Sequence, residues 1–125
     1  MPLYLMLIHI LGSAAGGGFP QWNCGCPGCR ALREAHPGVH SLTQSSIAVQ
    51  ATGGPWFLVN ASPDVRQQLE RLRNGQLSKI RSSPIAGVLL TDAEIDHTTG
   101  LVILRESAEP LRVYRTDTVR RALTE

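Results

Sequence analysis

The sequence predicts an α/β fold (α+β), with strand and helix signals alternating along the chain, and three observations carry that reading. The run Ile85–Leu90 is short, apolar, partly β-branched and preceded by Ser82-Ser83-Pro84, which marks a buried strand rather than a helix. Two further strand signals, Thr43–Val49 and Trp56–Asn60, flank a Gly53-Gly54-Pro55 turn, the pattern of an antiparallel hairpin. Between the hairpin and the buried run, Val65, Leu69 and Leu72 form one apolar stripe at helical spacing.

Taken in order, the chain begins with the apolar stretch Leu3–Leu11, followed by Gly12-Ser13-Ala14-Ala15. A signal peptide has this outline, but no Lys or Arg precedes Arg30, so the stretch is read as a first β-strand. Gly12–Asn23 is then a glycine-rich loop able to lie close to a ligand or a neighbouring strand, with Phe19 and Trp22 as its aromatic anchors. It lacks the Gly-Lys-Ser/Thr ending of a phosphate loop and fits no dinucleotide fingerprint. A short helix over Cys29–Ala35 is stopped by His36-Pro37-Gly38.

After the hairpin, Ser62 is the expected N-cap and Pro63 the first helical residue of the Val65–Leu72 helix, which Asn74-Gly75 closes. Asp64 either supports the acidic loop from behind or interacts with the dipole of its own helix. Leu77–Ser83 is a polar connector. Leu101, Val102 and Leu104 read as a further short helix with Thr98 and Thr99 at its first turn, Leu111–Tyr114 alternates as a strand, and Thr116 caps a final helix over Asp117–Leu123.

Two stretches carry chemistry. Cys24-Gly25-Cys26-Pro27-Gly28-Cys29 holds every cysteine of the chain within six residues separated by turn formers, a knuckle suited to wrapping thiolates around one soft cation. Disulfide pairing would strand one thiol in a tight ring, so a reduced, zinc-bound state is the better account. Tetrahedral zinc wants a fourth donor, for which His36 and His40 are the nearby candidates. The second stretch is Thr91–Gly100, Thr-Asp-Ala-Glu-Ile-Asp-His-Thr-Thr-Gly. If the backbone stays extended, Asp92, Glu94 and Asp96 project to one side and His97 closes over them. Three acids and an imidazole so crowded repel unless a cation joins them. A solvated acidic turn before a helix, with Asp96 near the cap, accounts for the same residues.

Thr91–Leu101 resembles the metal loop of the metallo-β-lactamase superfamily, Thr-His-x-His-x-Asp-His-x-x-Gly. Asp96 and His97 match the Asp-His half, which there serves the second metal position, whereas Asp92 and Glu94 stand where two histidines belong. That departure is similar to the one shown by the coenzyme pyrroloquinoline quinone (PQQ) synthesis protein B family. Leu11–Cys29, Thr43–Val49 and Asn60–Asp64 resemble the same family, so the likeness runs through nearly the whole chain.

The resemblance implies one partial domain over residues 1–125, the N-terminal half of a metallo-β-lactamase-like αββα sandwich with the metal at one edge. It implies structural zinc at Cys24, Cys26 and Cys29, with the last ligand coming in relatives from late in the chain. It also implies iron or another divalent metal at Asp92, Asp96 and His97, and a ligand or proton-transfer role for Glu94. The function it implies is PQQ biosynthesis, as a metal-dependent oxygenase hydroxylating the tyrosine ring of the Glu-Tyr precursor. Carriage of PQQ or its precursor towards the periplasm, or an inactive fragment, are its alternatives. The partners it implies are that precursor or PQQ and other PQQ-synthesis proteins.

Composition excludes other classes. With 12 basic and 10 acidic side chains the net charge is only +2, and no basic stripe with interleaved aromatics suggests nucleic acid. No apolar stretch is long enough to span a bilayer, and the expected location is cytoplasmic.

Overall fold

A computed structural model describes residues 5–73 and 80–125. Five strands form one sheet in chain order: β1 (Met6–Gly12), β2 (Ser46–Ala51), β3 (Trp56–Val59), β4 (Ile85–Leu89) and β5 (Arg112–Tyr114). β1 to β3 are antiparallel, while β3, β4 and β5 run parallel, so the chain changes from antiparallel pairing to helical crossovers midway. The expected hairpin about Gly53-Gly54-Pro55 is present, with Ala48 opposite Leu58 and Gln50 opposite Trp56.

The helices are α1 (Pro27–Arg33), α2 (Val65–Glu70), α3 (Ile95–Thr98), α4 (Gly100–Ile103) and α5 (Asp117–Thr124), with a 3-10 turn at Leu104–Glu106. α1 starts two residues ahead of the predicted Cys29, because Cys26 caps it and Pro27 suits its first turn, and it ends where Ala35 enters the left-handed region at φ 56°. α2 carries Val65 and Leu69 of the expected stripe and ends at Glu70, so Leu72 lies in the turn that follows; all three are buried. Its N-cap position is Asp64 rather than Ser62, although the Ser62 hydroxyl still accepts from the Asp64 amide at 3.1 Å. Thr116 caps α5 as predicted, accepting from the Val119 amide at 3.3 Å. Leu3 and Tyr4 of the expected first strand, the Asn74-Gly75 helix stop and Leu77–Lys79 of the connector lie outside the described residues.

Period-two alternation gives the sheet two unlike faces. One carries Leu11, Ala48, Leu58 and Val88, none with any exposed surface, and packs beneath Val65, Leu69 and Leu72 and the α5 residue Val119. Truncating one of these leucines to alanine costs about 2–5 kcal/mol, because a packed interior closes only partly around the hole. The register places Ile8, Ile10, Val49, Phe57, Leu89 and Tyr114 on the opposite face. There Ile8 is 57% and Ile10 67% exposed, so one helical layer and one sheet of the expected αββα arrangement are present, and among the described residues no second sheet covers the far face. No helix among the described residues is long and apolar enough to cross a membrane.

Two candidate metal centres

The cysteine knuckle is assembled almost entirely by local backbone. The Cys26 amide donates to Cys24 Sγ at 3.5 Å, and the Cys29 amide donates to Cys26 Sγ at the same distance, so consecutive turns direct the sulfurs inwards. One ligand atom from each of Cys24, Cys26 and Cys29 lies within 4.8 Å of the others. Three sulfurs around a tetrahedral zinc stand roughly 3.8 Å apart, so a small contraction completes that geometry. Arg33 clamps the loop to α1 by donating to the carbonyls of Cys24 and, at 2.7 Å, Gln21.

The three thiols differ. The Cys29 amide, helped by the Cys24 and Cys29 thiols, lowers the exposed Cys26 thiol to about 7. Cys29 is buried; a backbone contact at Gln21 favours its thiolate, but burial and the neighbouring sulfurs outweigh it and hold the thiol above its usual value. His36 is engaged elsewhere, 3.3 Å from Glu34, and neither it nor His40 joins the group of sulfurs among the described residues.

The acidic loop takes a different shape from the extended run expected of it. The chain bends at Asp92, whose Oδ1 accepts from the Glu94 amide at 3.0 Å, and α3 begins at Ile95, so the three acids do not share one side. His97 instead lies between two of them. Its Nδ1 is 2.7 Å from Asp92 Oδ1 and its Nε2 is 3.8 Å from Asp96 Oδ2. Asp92 is held below the usual carboxylate range by the Glu94 amide first, then by His97 and the Thr91 hydroxyl. The Glu94 residue at the N-cap position of α3 is exposed, and Asp92, Asp96 and His97 form no group of three converging ligand atoms.

In the tautomer that donates from Nδ1 to Asp92, Nε2 carries the lone pair and faces the Asp96 carboxylate, an arrangement of two acceptors that a cation would join. Two such donors on one tetrahedral ion sit roughly 3.3 Å apart, so the observed gap fits a shared cation with a minor adjustment. Asp92 then fixes the tautomer and orientation of His97 from the far side of the ring.

Residues remote in sequence hold this loop. Asn60, in the left-handed region at φ 62°, donates from Nδ2 to Thr91 Oγ1 at 2.9 Å and accepts from the Thr91 amide at 3.0 Å. Thr91 Oγ1 lies 2.9 Å from Asp92 Oδ2, carrying the contact into the loop. The Ala61 amide donates to the His97 carbonyl at 2.7 Å, and the Gly100 amide returns a bond to the Ala61 carbonyl at 2.9 Å. A Cβ on Gly100 would lie 2.4 Å from the Ser62 carbonyl oxygen, so only glycine lets α4 settle on this segment.

The glycine-rich loop spans both centres. A Cβ on Gly16 would stand 3.0 Å from Asp96 Oδ2, while at the other end Phe19 lies against Gly28 at the start of α1. Gln44 supports the loop by accepting from the Gly17 amide at 3.0 Å, and its own amide donates to Asp64 at 2.8 Å. Asp64 therefore braces the glycine loop rather than the acidic one. Gln68 is fully buried and bonds Thr43, Ser62 and the Gln44 carbonyl. Sequence reasoning passed over Gln44, Asn60 and Gln68; a glutamine one residue before the apolar stripe position Leu69 was the available signal for the last.

Residues 55–125 match the beta-lactamase superfamily domain. Over 120 residues the chain is 52% identical to coenzyme PQQ synthesis protein B of Methylococcus capsulatus, covering 95% of this chain and 40% of that protein. The counterpart in Methylobacillus flagellatus is also 52% identical, with 39% of its length covered. The chain thus spans about two-fifths of the length of these curated relatives. Among solved structures, zinc-bound PqqB from Methylobacterium extorquens superposes with a TM-score of 0.84 at 44% identity, over 96% of this chain and 43% of that one. A diphosphatase from the PhnP family superposes with a TM-score of 0.72 at 25% identity, over 95% of this chain and 45% of that one.

Proposed function

Since the chain belongs to the beta-lactamase superfamily and, over the stretch it spans, to the coenzyme PQQ synthesis protein B family, we propose that it serves PQQ biosynthesis as a metal-binding protein with two unlike centres. Cys24, Cys26 and Cys29 hold zinc in a structural role, leaving the fourth tetrahedral position to another donor. Asp96 and His97 hold iron or another divalent metal at the acidic loop, and the reaction is hydroxylation of the tyrosine ring of the Glu-Tyr precursor. What carries this reading is the 3.8 Å opposition of His97 Nε2 and Asp96 Oδ2, with Nδ1 already committed to Asp92.

Mixed carboxylate and imidazole donors suit iron, which when bound supplies open positions and one-electron chemistry for dioxygen. The chain's own residues do the rest. Asp92 keeps His97 in the tautomer that presents Nε2, and Asn60 fixes the start of the loop through Thr91. Proton exchange with the phenol is assigned to Glu94, which is exposed at the start of α3.

The test loads the chain with ferrous iron under nitrogen, adds the cross-linked Glu-Tyr peptide and ascorbate as a two-electron reductant, and admits oxygen, so that one oxygen atom enters the ring and the other leaves as water. The expected result is a gain of one oxygen atom on the tyrosine ring, abolished in Asp96→Ala with His97→Ala. Asp92→Asn is expected to weaken iron binding about 10–100-fold without unfolding the chain. Iron bound equally well by the double variant, or peptide held without any gain of oxygen, overturns the oxygenase reading.

A further inference from the structure

We propose that Cys26 and Cys29 form a reversible dithiol–disulfide pair, a redox-modification site within the knuckle. The two sit at the N-cap and third residue of α1, where helical geometry puts their Cα atoms roughly 5 Å apart, inside the range that a disulfide spans. Their sulfurs already lie within 4.8 Å, and the Cys29 amide donates to Cys26 Sγ, so the two thiols face one another at the start of the helix.

Exposure assigns the order of events. Cys26 is exposed and Cys29 only 3% exposed, so a small oxidant meets Cys26 first and Cys29 resolves the product. With a low-molecular-weight disulfide as oxidant, Cys26 sulfur attacks one of its sulfurs and one thiol leaves. Cys29 sulfur then attacks Cys26, forming the internal S–S bond and releasing the second thiol. Two electrons and the two protons of the cysteines pass to the oxidant, which departs as two thiols. Cys24 remains a free thiol.

The pair and a bound zinc draw on the same sulfurs, so oxidation expels the metal and metal protects the thiols; this consequence rests on the zinc reading above. The experiment exposes the full chain, stripped of metal by a chelator or loaded with zinc, to oxidised glutathione, then alkylates free thiols and maps them by mass spectrometry. The metal-free chain is expected to lose two hydrogens and two of its three alkylation sites, with Cys24 alone labelled, and Cys24→Ser is expected to form the same bond. Zinc loading is expected to slow the change about tenfold or more. Three labelled cysteines, glutathione adducts without an internal bond, or a bond through Cys24 overturns the pair. If the internal bond forms but the chain retains no zinc and added zinc gives no protection, the pair stands and the zinc reading fails.

Discussion

Cys24, Cys26 and Cys29 are gathered by six residues of chain and by amides within them, whereas His97 reaches its working orientation only through Asn60, Ala61 and Thr91, more than thirty residues apart at their extremes. The knuckle is therefore a local object that the sheet merely carries. The acidic loop is a tertiary object, and its geometry is lost whenever the Asn60–Ser62 segment moves. The difference teaches which substitutions should be confined to one centre and which should spread.

The largest expected effect is confined. Cys29→Ala removes one of three sulfurs and opens a buried site, so zinc bound by the purified chain should fall to background in metal analysis. Iron bound at the acidic loop should stay unchanged, since among the described residues the hydrogen bonds of the knuckle and those of the loop share no partner. Loss of both metals together would break the separation drawn between the centres.

Gly100→Ala comes next and should spread. Its Cβ meets backbone carbonyl atoms of Ala61 and Ser62 at 2.4–2.7 Å, and backbone cannot swing aside as a side chain does. About 1–3 kcal/mol of destabilisation is expected. Chemical denaturation should report it as a lower midpoint, with weaker metal binding at the loop and undisturbed zinc at the knuckle.

The same division explains what was legible beforehand. Sequence placed the hairpin, the β4 strand, the α2 stripe and the Thr116 cap, because each is written in neighbouring residues through periodicity or turn chemistry. The knuckle was legible for that reason too. The acidic loop was legible only as a composition: alternation suggested three acids on one side, but Asp92 bends the chain onto the Glu94 amide and α3 starts at once. Asn60 reaches Thr91, Gln44 reaches Gly17 and Gln68 reaches the Gln44 carbonyl across 24 to 31 residues of chain, and no local pattern marks such contacts.

Acid should distinguish the centres more gently. The zinc ligand is the thiolate, so a proton must leave before metal binds; with Cys26 near 7 and Cys29 above its usual value, affinity should drop roughly tenfold per pH unit for each thiol protonated. Asp92 responds to acid in the same direction but in a lower pH window. Its folded value is depressed, so its contribution is present above the unfolded carboxylate value and is lost only as pH falls through the lower folded one. Between pH 7 and 5, a chelator dye should show zinc release while the carbon resonance of the Asp92 carboxylate stays at its ionised position.

The smallest effect sharpens the comparison between two glycines. Gly16, unlike Gly100, faces the end of a side chain: an added Cβ would meet Asp96 Oδ2 at 3.0 Å and Cγ at 3.3 Å, and no positive φ forbids alanine there. Asp96 can yield by a few tenths of an ångström, so Gly16→Ala should change stability by less than about 1 kcal/mol. That small shift alters the distance from Asp96 to His97, the very gap a shared cation would bridge. Iron binding at the loop should therefore weaken with the melting temperature nearly unchanged, whereas Gly100→Ala lowers both. If Gly16→Ala leaves iron affinity where it was, the glycine loop is a neighbour of Asp96 and does not set its position.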